Sequence, residues 1–150
     1  MRLMIPPPIQ LCFSAIIMWI LSKSIDQANF DFNGINELAL FCLICGFIII
    51  LLAVNQFRES KTTIHPRIPN KTSFLVHKGI YKHTRNPMYL GLVLILVSVA
   101  FCLRNIVGFS IIPLFILFIT KYQIIPEEEV LESIFGQEYL RYINKVRRWI

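Results

Sequence analysis

Charged residues are scarce within the long apolar stretches of this sequence, and their scarcity argues against an ordinary soluble domain. Hydrophobic residues make up 55% of the 150 residues, and they occur in runs with little helical alternation. Runs of this kind face lipid or are buried on all sides. We therefore expect the chain to be solvated by a bilayer.

The sequence also lacks internal repeats, low-complexity tracts and the spacing of metal ligands. Its four cysteines lie inside apolar runs, and although Cys42 and Cys45 form a CxxC pair, no second ligand pair lies near them. We therefore expect the cysteines to pack against apolar neighbours, and we expect no metal site. The three histidines share one loop without ligand spacing (His65, His77 and His83).

The distribution of positive charge matters more than its total. The net charge is +6, and thirteen of the fifteen Lys and Arg residues lie at the N-terminus, in the 58–87 loop or from Lys121 onward. Such clustering follows the rule that positive residues stay on the cytoplasmic side of a membrane, and it does not indicate a nucleic-acid surface. A lipid bilayer, and no nucleic acid, is the expected partner; the oligomeric state is left open.

The expected fold is an all-α integral membrane protein with about four transmembrane helices. The apolar runs that predict them cover 9–21, 35–57, 88–103 and 106–122. The first run is shorter than the roughly 20 residues that span a bilayer. A signal peptide is the alternative for that run, but no small-residue cleavage site follows Ser22.

The last two runs are predicted to form a tight helical hairpin, because only Arg104 and Asn105 separate them. Pro113 is expected to kink the second arm. From Glu127 onward the pattern predicts an amphipathic helix that breaks near Gly136, followed by a second, basic helix.

We expect one domain, 1–150, in which 1–57 form the membrane anchor and 58–150 form the functional part. Four spans would return the chain to the side on which it began. The N-terminus, the 58–87 loop and the C-terminus would then share the cytoplasmic face.

Two polar motifs could carry chemistry, and each also has a simpler explanation. Arg85-Asn86-Pro87-Met88-Tyr89 is typical of a capped helix start, with Asn86 at the N-cap or one residue from it, where its side chain is expected to satisfy an orphan helix donor. The acids that follow Pro126 are typical of a solvated first helical turn. However, the hairpin returns both motifs to one face, where together they could hold a small zwitterion.

At these residues the chain resembles the integral membrane methyltransferases related to isoprenylcysteine carboxyl methyltransferase and phospholipid methyltransferase. The resemblance covers about the second half of the chain. It lies in F-L-V-H-K-G-I-Y-K-H-T-R-N-P-M-Y-L-G and in E-E-E-V-L-E-S-I-F-G-Q-E-Y-L-R-Y-I-N-K-V-R-R-W-I.

The resemblance implies an S-adenosylmethionine-dependent methyltransferase with a small lipophilic acceptor. It also implies that the cofactor binds on the cytoplasmic side. The cofactor-binding residues that it implies are Leu75, Val76, Tyr81, Arg85, Asn86, Pro87, Tyr89, Glu127 and Glu128. No catalytic residue stands out, and Arg85 and Gln123 are weak candidates.

Three positions depart from the family pattern. Ile80 replaces a frequent Pro, and Lys145 replaces a frequent Arg. Gln123 falls about where the carboxyl-methylating relatives carry an Arg, which weakens the expectation of a prenylcysteine carboxylate as substrate.

Two alternative functions stay open at the level of sequence. One is an NADPH-dependent membrane reductase of the sterol-reductase type, because such proteins resemble this family in their C-terminal halves. The other is a small non-enzymatic membrane protein. Transporters usually carry polar groups at the middle of their helices, whereas this chain gathers them at one face.

Overall fold

The structure, a computed structural model, describes residues 5–60 and 74–150, and its regular elements there are helical. One isolated bridge, between Asn29 and Asn105, lies outside the helices. These two ranges contain six α-helices: α1 Pro7–Ser24, α2 Ile35–Glu59, α3 Pro87–Leu103, α4 Ile106–Ile119, α5 Ile125–Phe135 and α6 Gln137–Ile143. The prediction of an all-α fold is confirmed.

Two helices are long and apolar enough to cross a membrane within the described ranges. They are α2, with 25 residues, and a 30-residue run Ile106–Phe135, in which α4 passes through a π-helical turn, Thr120–Ile124, into α5. At about 1.5 Å per residue, the 18-residue α1 and the 17-residue α3 are about 26–27 Å long, against a hydrocarbon core of about 30 Å. The number of four spans therefore stays a prediction.

The predicted hairpin is confirmed. α3 ends at Leu103, Arg104 adopts a left-handed conformation (φ 50°), and α4 begins at Ile106 after its N-cap residue Asn105. The predicted break at Gly136 is also confirmed, because Gly136 (φ 50°, ψ −120°) separates α5 from α6 in a conformation that side-chain-bearing residues avoid.

α3 lies at the centre of the helix packing. It contacts α2 on one side, and α1 and α4 on another. The larger core cluster combines Met18 of α1, Leu96 of α3 and Phe115 of α4 with neighbouring apolar side chains. Both predicted hairpin arms are thus part of one apolar core.

The contact between α2 and α3 depends on two glycines. A Cβ placed on Gly91 would lie 2.7 Å from the Gly46 carbonyl oxygen and 2.5 Å from Ile50 Cγ1. The two backbones therefore approach more closely than any larger residue would allow. Nearby, Ser98 Oγ donates to the Ala39 carbonyl of α2 at 2.7 Å, which adds a polar bond to the same contact.

Asn105 organises the end of the helices at which the hairpin turns. Its side chain is buried and donates to the Ile25 carbonyl and to Asn29 Oδ1, both at 2.8 Å. Its Oδ1 accepts from the Val107 N–H at 3.0 Å, which caps α4. The loop after α1 is thereby tied to the tip of the hairpin.

The helices present many large apolar side chains outward. Phe13, Phe41, Phe47, Leu51 and Leu117 are all more than half exposed. Exposed large apolar side chains in such number are typical of contact with a membrane or a partner. Together with the two candidate spans, it places this protein in a membrane.

Candidate functional site

A cavity of about 500 Å³ opens at the end of the helices opposite Asn105. It lies where the start of α1, the end of α2, the 74–89 segment, α5 and α6 meet. Its apolar part is formed mainly by Pro6, Pro7, Pro8, Ile50, Phe57, Phe74, Met88, Leu92 and Leu131. Its polar part is formed mainly by Arg85, Asn86, Tyr89, Gln123, Glu127, Glu128, Tyr139 and Tyr142.

Tyr81 anchors the loop that forms one wall of the cavity. Its ring meets Phe57 of α2 edge to face, with the ring centroids 5.5 Å apart, and it packs with Val76 against Ala53. Tyr142 of α6 donates its hydroxyl hydrogen to the Tyr81 carbonyl at 2.7 Å. Burial raises the pKa of the Tyr81 hydroxyl, so this side chain stays neutral at physiological pH.

Glu127 is held by neutral donors. The Tyr89 hydroxyl lies 2.7 Å and 2.9 Å from its two carboxylate oxygens, and Gln123 Nε2 donates to Oε1. Gln123 lies in the π-helical turn, four residues before Glu127, so both side chains reach the same side of the helix. Turns of this type are frequent at functional sites.

Glu128 is held by two arginines. Arg148 donates from Nη2 at 2.7 Å and from Nε at 3.2 Å, one bond to each carboxylate oxygen. Arg85 Nη2 lies 3.2 Å from Oε1. The hydrogen bonds to Glu128 raise the pKa of Arg148, so its guanidinium stays charged. Glu128 therefore lies among charged partners, whereas Glu127 accepts from neutral donors.

Asn86 is the N-cap residue of α3, as predicted, but its side chain makes no cap hydrogen bond. The expectation that it satisfies an orphan helix donor is therefore wrong, because the Asn86 amide instead donates to the Arg148 carbonyl at 3.0 Å. Thr84 Oγ1 accepts from the Asn86 N–H at 3.1 Å. The segment before α3 is thus ordered by contacts outside the helix.

The structure brings most of the predicted site residues to this cavity. Eight of the nine predicted cofactor residues line it (Leu75, Val76, Tyr81, Arg85, Asn86, Tyr89, Glu127 and Glu128), as does Gln123. Pro87 is buried at the first turn of α3 and is not a lining residue. These placements agree with the predicted neighbourhood of the two motifs.

The histidines and cysteines contribute nothing to the lining of the cavity in the described ranges. His77 and His83 are exposed, and His65 lies outside those ranges. The four cysteines are free thiols, with Cys42 buried between helices. Among the residues that the structure describes, no three His, Cys, Asp or Glu side chains are grouped so that they could hold a metal ion.

The resemblance implied that the C-terminal helices border the cofactor site, but the lining residues of α1, α2 and α6 were not among the predicted site residues. Pro7, Ile50 and Phe57 belong to stretches that were interpreted as membrane anchor. Tyr139 and Tyr142 could have been predicted as lining residues, because aromatic residues three apart share one helix face. Burial raises the pKa of Tyr139 to about 12, so its hydroxyl is neutral at physiological pH.

The polar part of the cavity combines the guanidinium of Arg85, carboxylate acceptors and aromatic walls. A guanidinium can bind a carboxylate, and a carboxylate can bind an ammonium group or a hydroxyl. Aromatic faces can stack on a flat ring. The arrangement therefore suits a ligand that carries both charges and a ring, beside a second, apolar molecule.

A model of the phospholipid methyltransferase family matches residues 35–138 of this chain. The chain is 31% identical over 118 residues to protein-S-isoprenylcysteine O-methyltransferase of Schizosaccharomyces pombe, an alignment that covers 79% of this chain and 50% of that enzyme. It thus spans half the length of the yeast protein. It is also 49% identical over 63 residues to an uncharacterized protein of Haemophilus influenzae, covering 42% of this chain and all of that protein.

Proposed function

Because this chain belongs to the phospholipid methyltransferase family, we propose that it transfers a methyl group from S-adenosylmethionine to a lipophilic or membrane-proximal small molecule. The observation that carries this proposal is the cavity in which the predicted motif residues meet. The name of the yeast relative, an isoprenylcysteine methyltransferase, supports a lipophilic acceptor.

The cavity fits the proposed cofactor in size and in chemistry. Its volume of about 500 Å³ lies within the roughly 300–1,000 Å³ of small-molecule sites. Arg85 Nε and Gln123 Oε1 are buried without a hydrogen-bond partner among the described residues. Since buried polar atoms are normally hydrogen-bonded, these two atoms favour a polar molecule at this end of the cavity.

Each group of residues has a role in the proposal. Glu127 and Glu128 would bind the amino group or the ribose hydroxyls of the cofactor, and Arg85 would bind its carboxylate. Leu75, Val76 and Tyr81 would line its ring. When bound, S-adenosylmethionine supplies a methyl group on a positively charged sulfur.

Arg85 and Gln123, the two weak catalytic candidates, are suited to binding rather than to proton transfer. A guanidinium stays protonated at neutral pH and offers no acceptor, and an amide does not titrate there. The contribution of the protein to the rate would therefore come from alignment of the reactants and exclusion of water. The apolar part of the cavity would hold the acceptor.

We further propose that 1–150 form one methyltransferase domain with four membrane-spanning segments. The cavity draws together the start of α1, the end of α2, the start of α3, α5 and α6, so these parts lie on one face. The clustering of Lys and Arg at the same end favours the cytoplasm for that face. 1–57 would be the anchor, with Pro6–Pro8 and Phe57 contributing to the site.

Binding to the purified protein tests the proposal. S-Adenosylhomocysteine and NADPH are offered separately by isothermal titration calorimetry. We expect S-adenosylhomocysteine to bind and NADPH not to bind. Binding of NADPH alone would replace the methyltransferase by the reductase, and binding of neither would contradict the proposed site.

The acidic pair supplies a residue-level test of the same proposal. In the E127Q/E128Q double variant, S-adenosylhomocysteine should bind about 10- to 100-fold more weakly, because hydrogen bonds to charged groups contribute about 1.5–3 kcal/mol. E129Q is the matched control, since Glu129 is the next acid along and is exposed. Equal affinity of the double variant and E129Q would remove the acidic pair from the site.

The acceptor can be identified by labelling. Membranes that contain the protein are incubated with S-adenosylmethionine labelled in its methyl group and with a total lipid extract, and the labelled product is identified. We expect label in an extractable lipophilic product, and much less label at the same concentration of methyl donor when E127Q/E128Q replaces the wild type.

A further inference from the structure

Residues 146–150 pack against the segment before α3 and against the helix core. We call residues 146–150 the C-terminal strap. Val146 is buried, and Trp149 packs against the larger core cluster of α1, α3 and α4. The strap is therefore anchored in the core.

The backbone of the strap is bound by three consecutive residues before α3. The Arg85 N–H donates to the Arg147 carbonyl at 3.0 Å. Thr84 Oγ1 and Asn86 Nδ2 donate to the Arg148 carbonyl at 3.3 Å and 3.0 Å. The strap thus orders the segment that carries two of the predicted cofactor residues.

The side chain of Arg148 adds a link to α5. It binds Glu128 with one bond to each carboxylate oxygen, at 2.7 Å and 3.2 Å. Paired bonds between a guanidinium and a carboxylate fix direction as well as distance. The side chain of Glu128 is 16% exposed and that of Arg148 is 37% exposed, so the pair is shielded from solvent on the carboxylate side.

Without Arg148, the carboxylate of Glu128 would have Arg85 as its remaining ion-pair partner among the described residues. The carboxylate could then rotate toward Arg85 and take that guanidinium away from its place in the cavity. The Asn86 amide would keep its bond to the backbone carbonyl, because a side-chain substitution at Arg148 leaves that carbonyl in place. Substitution therefore isolates the effect of the side chain.

We propose that Arg148 is a positioning residue of the cofactor site, which acts by fixing the Glu128 carboxylate and, through it, Arg85. This inference rests on the proposed function, because it concerns the affinity of the same site for the methyl donor. It extends the site to a residue outside the 35–138 range that the family model matches.

The test compares R148A with R141A. Arg141 is an exposed arginine of α6 whose side chain donates to the Gln137 carbonyl of its own helix. We expect S-adenosylhomocysteine to bind R148A about tenfold more weakly, which corresponds to about 1.4 kcal/mol, and R141A within about twofold of wild type. The KM for S-adenosylmethionine should rise while kcat changes little, and R148K should be intermediate because lysine keeps the charge but not the fork.

A double-mutant cycle shows whether Arg148 acts through Glu128. In the E128Q background, R148A should weaken binding by less than about twofold, because the partner of the arginine is already neutral. Additive losses, or equal affinities of R148A and R141A, would overturn the inference. If R148A does not fold, R148Q is compared with R141Q in the same assay.

The two proposals fail in different ways. If the wild type does not bind S-adenosylhomocysteine, the proposed function fails and this inference fails with it. If the wild type binds it and R148A binds equally well, only the positioning role of Arg148 is overturned.

Discussion

Glu127 and Glu128 are adjacent in sequence but have different partners. Glu127 accepts hydrogen bonds from Tyr89 and Gln123, whereas Glu128 forms ion pairs with Arg85 and Arg148. Removal of one partner from a shielded ion pair leaves a poorly solvated charge behind. Substitutions at Glu128 therefore affect Arg85, which lines the cavity, and Arg148, which lies behind it in the sequence of contacts, whereas those at Glu127 affect neutral donors.

Tyr142 gives a prediction for stability at the level of one hydroxyl. Y142F removes the 2.7 Å hydrogen bond to the Tyr81 carbonyl, which connects α6 to the loop before α3. We expect a loss of about 1 kcal/mol, or about 2–4 °C in melting temperature for a domain of this size. Thermal unfolding in detergent measures it.

Y122F is the control for that change, because Tyr122 is 44% exposed. It should leave the melting temperature unchanged within error. A melting temperature of Y142F equal to that of Y122F would show that the hydroxyl does not hold α6 against the loop.

At the scale of elements, the long run from α4 to α5 joins the core to the site. Ile119 and Ile124 are fully buried in the larger core cluster. The π-helical turn between them adds a residue to the helical repeat and turns Gln123 toward Glu127. The sequence predicted a membrane helix over 106–122 and a separate amphipathic helix from Glu127 onward. The structure instead joins the two through the π-helical turn, with Pro126 in the first turn of α5, where proline is tolerated.

The contact between α2 and α3 gives a second prediction. G91A should destabilise the protein by about 1–3 kcal/mol, because its Cβ would overlap the Gly46 carbonyl and Ile50. G108A is the matched control, since its Cβ would meet its nearest neighbour, Met18 Cε, at an ordinary 3.7 Å. The melting temperatures of both variants are measured in detergent. Equal melting temperatures of G91A and G108A would contradict the close contact between α2 and α3.

At the scale of the whole molecule, the two ends of the helices differ in chemistry. One end carries the cavity, the strap and most of the basic residues, and the other carries Asn105, the loop after α1 and the Arg104–Asp31 ion pair at 2.9 Å. This polarity underlies the proposed orientation in the membrane.

Membrane sidedness can be measured with two matched lysines. Lys23 at the end of α1 and Lys145 after α6 are both exposed. In a cysteine-free background, K145C should react with a membrane-impermeant maleimide only after the cells are permeabilised, and K23C should react in intact cells. Labelling of both positions from one side would contradict the proposed topology.

The sequence predicted the helices, the hairpin and the meeting of the two motifs, because these follow from apolar runs and from a two-residue turn. It did not predict that Pro7, Ile50 and Phe57 line the cavity, since the packing of α1 and α2 on α3 leaves no mark on local patterns. Nor did it predict the capture of Asn86 by the Arg148 carbonyl, because a backbone acceptor 62 positions away has no sequence signature.

The most direct test of the central claim is hydrogen–deuterium exchange of the purified protein with and without S-adenosylhomocysteine. We predict slower exchange on binding in 74–89 and 120–148, which surround the cavity, and unchanged exchange in the 25–34 loop at the opposite end. Protection of the 25–34 loop with no change around the cavity would contradict the account.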